Sequence, residues 1–179
     1  EKFLNINNCQ TETKFSINNE KIEKINNEFK NTFKIVIGAG SSGPTTRWGS
    51  NNFAKLINKL NENGNYIFFI LCGPKEKVIE DEIINKLNKK NYVRLSDKKI
   101  IEVVPYLCAC NMYVGNDSFG SHISAQSGKK SIVFLLDSPK AYTDYSKNFF
   151  RLVPEGFNIN DITHDTKADA NLISVNNVI

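Results

Sequence analysis

The sequence lacks any apolar stretch near the roughly 18 residues that a membrane-spanning helix requires. It also shows no signal peptide, that is, no charged start followed by an apolar core and a small-residue cleavage site. Arginine is scarce, and the basic residues are spread along the chain, with a net charge of only +4. Proteins that bind nucleic acids cluster their Lys and Arg, and we therefore expect no nucleic-acid partner.

Cysteine occurs only four times, at Cys9, Cys72, Cys108 and Cys110. One residue separates Cys108 from Cys110 and no second pair follows, which does not fit the spacing of a zinc site. Cys72 and Cys108 lie within apolar runs, where a free thiol behaves as a small hydrophobic side chain. We therefore predict no bound metal, no need for disulfides, and a reducing, cytoplasmic environment.

The length of 179 residues and the apolar content of 40% fit one globular domain. From Phe33 onward, short β-rich runs alternate with amphipathic helical stretches. Strands are predicted at 33–37, 66–72, 92–95, 112–115, 131–136 and 150–153. This alternation predicts an α/β fold, a Rossmann-like three-layer domain with a mostly parallel sheet between two layers of helices.

Helices are predicted where apolar residues recur three and four positions apart. They fall around 53–60, 79–87, 100–107, 118–127 and 171–178, with Asp97 as N-cap of the third and Gly128 ending the fourth. Residues 1–32 are polar, with a weak helical stripe at Ile22, Ile25 and Phe29. We expect them to form a connecting segment and one helix that join a further domain to the α/β domain of residues 33–179.

The first loop after a strand, residues 38–43, matches the pattern G-x-G-x-x-G. A dinucleotide-binding turn requires a helix to begin at once. Here Pro44 and five further residues intervene, and the next strand ends without an acidic residue. Three interpretations stay open: a weak dinucleotide fingerprint, a flexible loop, or a loop whose amides and hydroxyls at Gly40, Ser41 and Ser42 face a phosphate.

Two charged residues follow the first and second strands. Arg47 could bind a diphosphate through two guanidinium hydrogen bonds, or lie on the surface over Trp48. Glu76 follows a Gly-Pro turn at the start of the next helix. Its carboxylate could accept hydrogen bonds from ribose hydroxyls, or simply complement the helix dipole.

The segment 115–122 carries the strongest signal. Gly115 ends a predicted buried strand, and Asp117 with Ser118 opens a helix. Free amides, the helix dipole and a hydroxyl therefore meet at one point, which suits a phosphate. Asp117 fits either an N-cap or an acceptor of sugar hydroxyls, and His122 lies one turn into the helix, where it could donate to a phosphate or be structural.

No motif for covalent or metal catalysis is present. The sequence contains no G-x-S-x-G, no G-x-x-x-x-G-K-[ST] and no H-E-x-x-H. The second histidine, His164, lies in a polar segment and is not assigned to the site. We therefore expect a binding site rather than a set of catalytic side chains.

These motifs together resemble the C-terminal domain of the heptosyltransferase family, glycosyltransferase family 9. The resemblance rests on the Gly/Ser loop of residues 38–42, the Arg47-Trp48 pair, the Gly-Pro-x-Glu turn of residues 73–76, and the Asn-Asp-Ser segment of residues 116–118 that leads to His122. Their order and spacing agree from residue 33 to residue 136. The resemblance implies one half of a GT-B fold.

The resemblance also implies the function and the residues of the site. The whole enzyme would transfer a heptosyl or hexosyl group from a nucleotide-diphospho-sugar, for which an ADP-linked donor is one candidate, to lipopolysaccharide or another surface glycan, without a metal or other cofactor. Arg47 would contact the diphosphate, Glu76 the ribose, Ser118 the phosphates and Asp117 the donor sugar. The full set of donor-binding residues is Gly40, Ser41, Ser42, Arg47, Glu76, Asp117, Ser118, Phe119, Gly120 and His122.

The catalytic base of such an enzyme belongs to the N-terminal, acceptor-binding domain, so we expect no catalytic residue in this chain and little transfer by the chain alone. Glycolipid acceptors would permit peripheral association with the inner face of the membrane. Phe119 stands where the family has glycine and Arg47 where lysine is usual, which leaves the donor sugar open. Two alternatives remain: half of a nucleotide-sugar epimerase, and a non-catalytic dinucleotide-binding Rossmann module.

Overall fold

The computed structural model describes residues 17–179, and residues 1–16, including Cys9, lie outside the described part. Six parallel strands form one sheet in the order β3-β2-β1-β4-β5-β6. The strands are β1 (Phe33–Gly38), β2 (Tyr66–Leu71), β3 (Tyr92–Arg94), β4 (Met112–Asn116), β5 (Lys130–Phe134) and β6 (Phe149–Leu152). The predicted parallel α/β fold is confirmed.

Helices cover both faces of the sheet. They are α1 (Asn19–Glu28), α2 (Ser50–Asn63), α3 (Lys77–Ile84), α4 (Ile100–Ala109), α5 (Phe119–Gln126) and the single turn α6 (Val175–Val178). One core, with Trp48 and Phe53 at its centre, lies between the sheet and α2, α3 and α6. A second core lies between the sheet and α1 and α4, with Ile25 of α1 buried in it. The central strands are apolar along their length because both of their faces are covered.

The direction of the strand order reverses between β1 and β4. Strands of the first half extend from β1 to β3, and those of the second half from β4 to β6, so a crevice opens at the carboxyl ends of β1 and β4. Gly38 and Gly115 are paired there across the two strands. A Cβ atom on Gly115 would lie 2.4 Å from the carbonyl oxygen of Gly38, so only glycine allows the strands to approach at this point.

Two predicted helix ends differ from the structure. Asp97 is not the N-cap of α4, because its carboxylate binds Lys77 at 2.8 Å, and Glu102 instead accepts the N–H of Lys99. The predicted helix at 171–178 consists of a 3-10 turn, Ala170–Leu172, followed by α6. Gly128 does end α5, with a positive φ of 79°. In residues 17–179, no helix is long and apolar enough to cross a membrane.

A fully buried carboxylate, Glu80 of α3, fixes the turn after β3. Its oxygens accept hydrogen bonds from the amides of Leu95 and Ser96, from the Ser96 hydroxyl at 2.5 Å, and from Arg94 Nε at 2.8 Å. A buried charge is tolerated only when it is fully bonded in this way. Glu80 therefore holds the segment that leads into α4.

We predict that Glu80→Ala lowers the free energy of unfolding by about 2–4 kcal/mol, because it leaves buried donors without an acceptor. Chemical denaturation followed by circular dichroism measures the change. Glu23→Ala, at an exposed position of α1, is the matched control and should change stability by less than about 0.5 kcal/mol. Equal effects of the two substitutions would show that the buried network contributes nothing.

Candidate functional site

A cleft of ≈ 460 Å³ opens at the carboxyl ends of β1, β2 and β4. Eight of the ten residues predicted for the site line it: Gly40, Ser41, Ser42, Glu76, Asp117, Ser118, Phe119 and Gly120. A second cavity, of ≈ 510 Å³, lies at the amino ends of the strands around Phe33 and Tyr66. Within residues 17–179, no charged side chain lines this second cavity, so the first one is the candidate for a polar or anionic ligand.

The buried side chain of Asn116, at the end of β4, holds both ends of the loop that follows β1. Its Oδ1 accepts the backbone N–H of Trp48 at 2.9 Å, and its Nδ2 donates to the carbonyl of Ala39 at 2.8 Å. The Trp48 ring is buried against Phe53 and Phe134, and its indole N–H donates to the carbonyl of Ile173. The loop 39–48 is therefore anchored at both ends and forms a wall of the cleft.

The carboxylate of Glu76 connects the first and second loops. Its Oε1 accepts the N–H of Ser41 at 3.0 Å and binds Arg47 Nη2 at 2.7 Å, while its Oε2 accepts the N–H of Gly73 at 2.8 Å. Arg47 also donates to the Ser41 carbonyl at 3.1 Å. Arg47 is thus beside the cleft rather than in its lining, and Glu76 is not a free surface carboxylate.

Gly40 lies directly under this carboxylate. A Cβ atom at Gly40 would lie 2.2 Å from Glu76 Oε2 and 3.2 Å from the Cα of Cys72. Even alanine would therefore displace the Glu76 side chain. At Gly43, three residues later, the nearest atom to an added Cβ would be 3.9 Å away, which is an ordinary contact.

Helix α5 begins at Phe119, immediately after β4, and its first turn faces the cleft. The amides of Phe119 and Gly120 lie in this turn, where a helix provides no acceptor for them. The Ser118 hydroxyl lies 3.2 Å from the hydroxyl of Tyr113, at the same edge. Phe119 is half exposed, and the helix starts regularly at this residue although it has a side chain.

The histidine predicted near the phosphates has other partners. His122 Nε2 lies 3.2 Å from Asp117 Oδ1, and Nδ1 lies 2.7 Å from the hydroxyl of Tyr145. The imidazole does not line the cleft, whereas Asp117, whose carboxylate lies beside it, does. Tyr145 comes from the polar segment before β6, which contains no motif.

The apolar and basic wall that follows β3 is not among the residues predicted from the sequence. Leu95, Ile100 and Val103 line the cleft. Leu95 and Val103 are buried, and Ile100 is largely exposed. Lys98 and Lys99 stand at the same edge. Ligands of parallel α/β sheets bind at the carboxyl ends of the strands, and these residues also follow a strand. Their position in the sequence was therefore a usable signal.

The chemistry of the cleft is that of binding. Burial raises the pKa of the Cys72 thiol to about 12, so this lining residue is protonated at neutral pH and is no nucleophile. Among residues 17–179, no three His, Cys, Asp or Glu side chains form a group that could hold a metal ion. Amides, hydroxyls, two lysines and the Arg47–Glu76 pair offer donors and acceptors to a polar ligand with an anionic part.

Comparison with solved structures agrees with this architecture. The chain superposes on Escherichia coli ADP-heptose LPS heptosyltransferase II with a TM-score of 0.74 at 20% identity, covering 92% of this chain and 50% of that one. A glycosyltransferase family 9 protein from Veillonella parvula gives 0.74 at 17% identity with the same coverages. E. coli heptosyltransferase WaaC with ADP gives 0.62 at 17% identity, covering 75% and 42%. The chain therefore spans about half the length of these structures, in agreement with the prediction of one half of a GT-B fold.

The sequence itself is assigned by a family model. No curated protein sequence shows a significant match to the chain. The model of "Glycosyltransferase family 9 (heptosyltransferase)" matches residues 1–153, which is most of the chain. The chain therefore belongs to glycosyltransferase family 9, the heptosyltransferase family.

Proposed function

We propose that this chain is the donor-binding half of a glycosyltransferase and that its cleft binds a nucleotide-diphospho-sugar. The observation that carries the proposal is the meeting of the α5 N-terminus with the Glu76–Arg47 pair at the carboxyl ends of parallel strands. A helix N-terminus with free amides binds phosphate oxygens, and its dipole favours their charge. Membership of family 9 supports a transferase for the whole protein.

The donor's parts are assigned by the chemistry of the lining. The diphosphate binds the amides of Phe119 and Gly120 and the Ser118 hydroxyl. The ribose hydroxyls donate to Glu76, and the sugar hydroxyls donate to Asp117. The base lies against the apolar wall of Leu95, Ile100 and Val103. ADP is the first nucleotide to test, because two structures of E. coli heptosyltransferase WaaC contain ADP or ADP-2-deoxy-2-fluoro heptose.

Catalysis in the full enzyme is proposed to be stabilisation of the leaving group without a metal. As the sugar departs, negative charge grows on the diphosphate, and preorganised donors neutralise it. Arg47 is one such donor, because its Nε is buried and has no partner among residues 17–179. The base that activates the acceptor hydroxyl is proposed to lie in the N-terminal domain, which would also bind a lipopolysaccharide or other glycan acceptor at the cytoplasmic face of the membrane.

The alternative of a dinucleotide-binding module fits the first loop less well. After residues 38–43 the chain forms a 3-10 turn, Pro44–Thr46, and α2 begins only at Ser50. The amides of a helix N-terminus are therefore not at this glycine loop, as a pyrophosphate of NAD would require. They are at α5 instead, on the other side of the crevice.

A ligand panel separates these functions. We predict that a nucleoside diphosphate binds the chain and that NAD does not. Isothermal titration with ADP, UDP, GDP and NAD measures this directly. Binding of NAD in preference to all three diphosphates would contradict the proposal and favour the dinucleotide module.

The position of the Glu76 carboxylate can be tested without removing it. We predict that Gly40→Ala weakens binding of the preferred nucleoside diphosphate at least about tenfold, because the added Cβ displaces Glu76 from its partners. Gly43→Ala is the matched control and should bind within about twofold of wild type, because its Cβ has room. Similar affinities of the two variants would exclude Glu76 from the ribose site.

Arg47 is tested in the full-length enzyme. We predict that Arg47→Ala lowers kcat/KM by roughly 30- to 150-fold, the effect of losing about 2–3 kcal/mol of transition-state stabilisation. Lys75→Ala, which removes an exposed cation next to Glu76, should have little effect. An unchanged rate for Arg47→Ala would remove Arg47 from the site.

A further inference from the structure

Three rings pack together behind Asp117. His122 stacks on Tyr145 with ring centroids 5.9 Å apart, and Phe149 of β6 meets both rings edge-on at 5.8 and 5.6 Å. Phe149 is buried, so the cluster rests on the core of the domain. The orientation of His122 is therefore set by packing as well as by its hydrogen bond with Tyr145.

The neighbours of His122 favour one tautomer of its imidazole ring. A neutral imidazole donates from one nitrogen and accepts at the other. His122 Nε2 lies 3.2 Å from Asp117 Oδ1, and a carboxylate can only accept. A neutral His122 facing Asp117 therefore carries its proton on Nε2, and its Nδ1 accepts from the Tyr145 hydroxyl at 2.7 Å. Burial raises the pKa of Tyr145 above its ordinary value, which keeps the phenol protonated and able to donate.

Asp117 has one oxygen engaged and one free. Oδ1 lies 3.2 Å from His122 Nε2 and 3.5 Å from the Ser121 hydroxyl. Oδ2 accepts no hydrogen bond from residues 17–179, and the Asp117 side chain, although only 6% exposed, lines the cleft. These contacts at Oδ1 thus favour the orientation in which the carboxylate faces the cleft.

We propose that Tyr145 is a positioning residue that acts through His122 to orient the Asp117 carboxylate toward the sugar of the donor. This inference rests on the proposed function and adds to it a residue from outside the motifs of the site. Tyr145 does not touch the donor. It orients the His122 ring, which in turn positions the Asp117 carboxylate. It therefore affects recognition of the sugar but not of the nucleotide.

The chain offers a matched control for this role. Its other histidine, His164, makes the same kind of bond, with Nε2 lying 2.8 Å from the hydroxyl of Tyr142. Tyr142 is three residues before Tyr145 in the same segment, and neither Tyr142 nor His164 lines the cleft. Tyr145→Phe and Tyr142→Phe therefore remove equivalent hydroxyls, and only the first is connected to Asp117.

The first measurement is the nitrogen NMR spectrum of the imidazoles in the 179-residue chain, which contains two histidines. At pH 8 we expect His122 to be protonated at Nε2 and not at Nδ1. Tyr145→Phe should shift the His122 Nδ1 resonance, and Tyr142→Phe should shift only the His164 Nε2 resonance. Protonation of His122 at Nδ1 in the wild-type chain would overturn the inference, because Nε2 could then not donate to Asp117.

The second measurement compares ADP with ADP-heptose by titration calorimetry. We expect Tyr145→Phe to weaken ADP-heptose binding about tenfold while ADP stays within about twofold, and Tyr142→Phe to change neither. An equal loss for both ligands, or equal behaviour of the two variants, would overturn the positioning role while leaving the nucleotide site intact. Failure of the wild-type chain to bind either ligand would instead overturn the proposed function together with the inference built on it.

Discussion

The site depends on the side-chain amide of Asn116. Asn116 is the last residue of β4. Its side chain donates to the Ala39 carbonyl and accepts the N–H of Trp48, so it fixes the loop 39–48 to the centre of the sheet. Both of its bonds are buried, where losing an amide partner is costly. The carboxyl ends of β1 and β4 therefore carry a loop of defined shape, and the N-terminus of α5 faces it across the crevice.

The remaining parts of the cleft are arranged around that fixed loop by charge. Glu76 is bound by Arg47 and by amides from both flanking loops, so it is held in place before any ligand arrives. Asp117 is held similarly by its contact with His122. Acceptors that are positioned in advance lose less entropy on binding, which favours a polar ligand that matches them.

The sequence predicts most of the fold, because long apolar runs such as that of β2 allow few alternatives and because each loop of the site directly follows a strand. It also predicts eight residues of the cleft lining. It does not predict the orientation of His122, which depends on Tyr145, a partner 23 positions away in a segment without periodicity. Aspartate is a common N-cap residue, but the carboxylate of Asp97 binds Lys77, which is distant in sequence, instead of capping α4. Helix periodicity and strand patterns are local, whereas these outcomes are decided by tertiary contacts.

The absence of space above Gly40 has a consequence for how such proteins diversify. Because Glu76 binds Arg47 and leaves no room for a Cβ atom at Gly40, a change at Glu76 alters the effect of changes at the other two positions. A relative in which Glu76 is replaced to suit another donor would no longer require glycine at position 40, because the carboxylate that excludes a Cβ atom there is gone. We expect these three positions to vary as a group among relatives. Asn116 bonds only to backbone atoms, so we expect its identity not to depend on the donor.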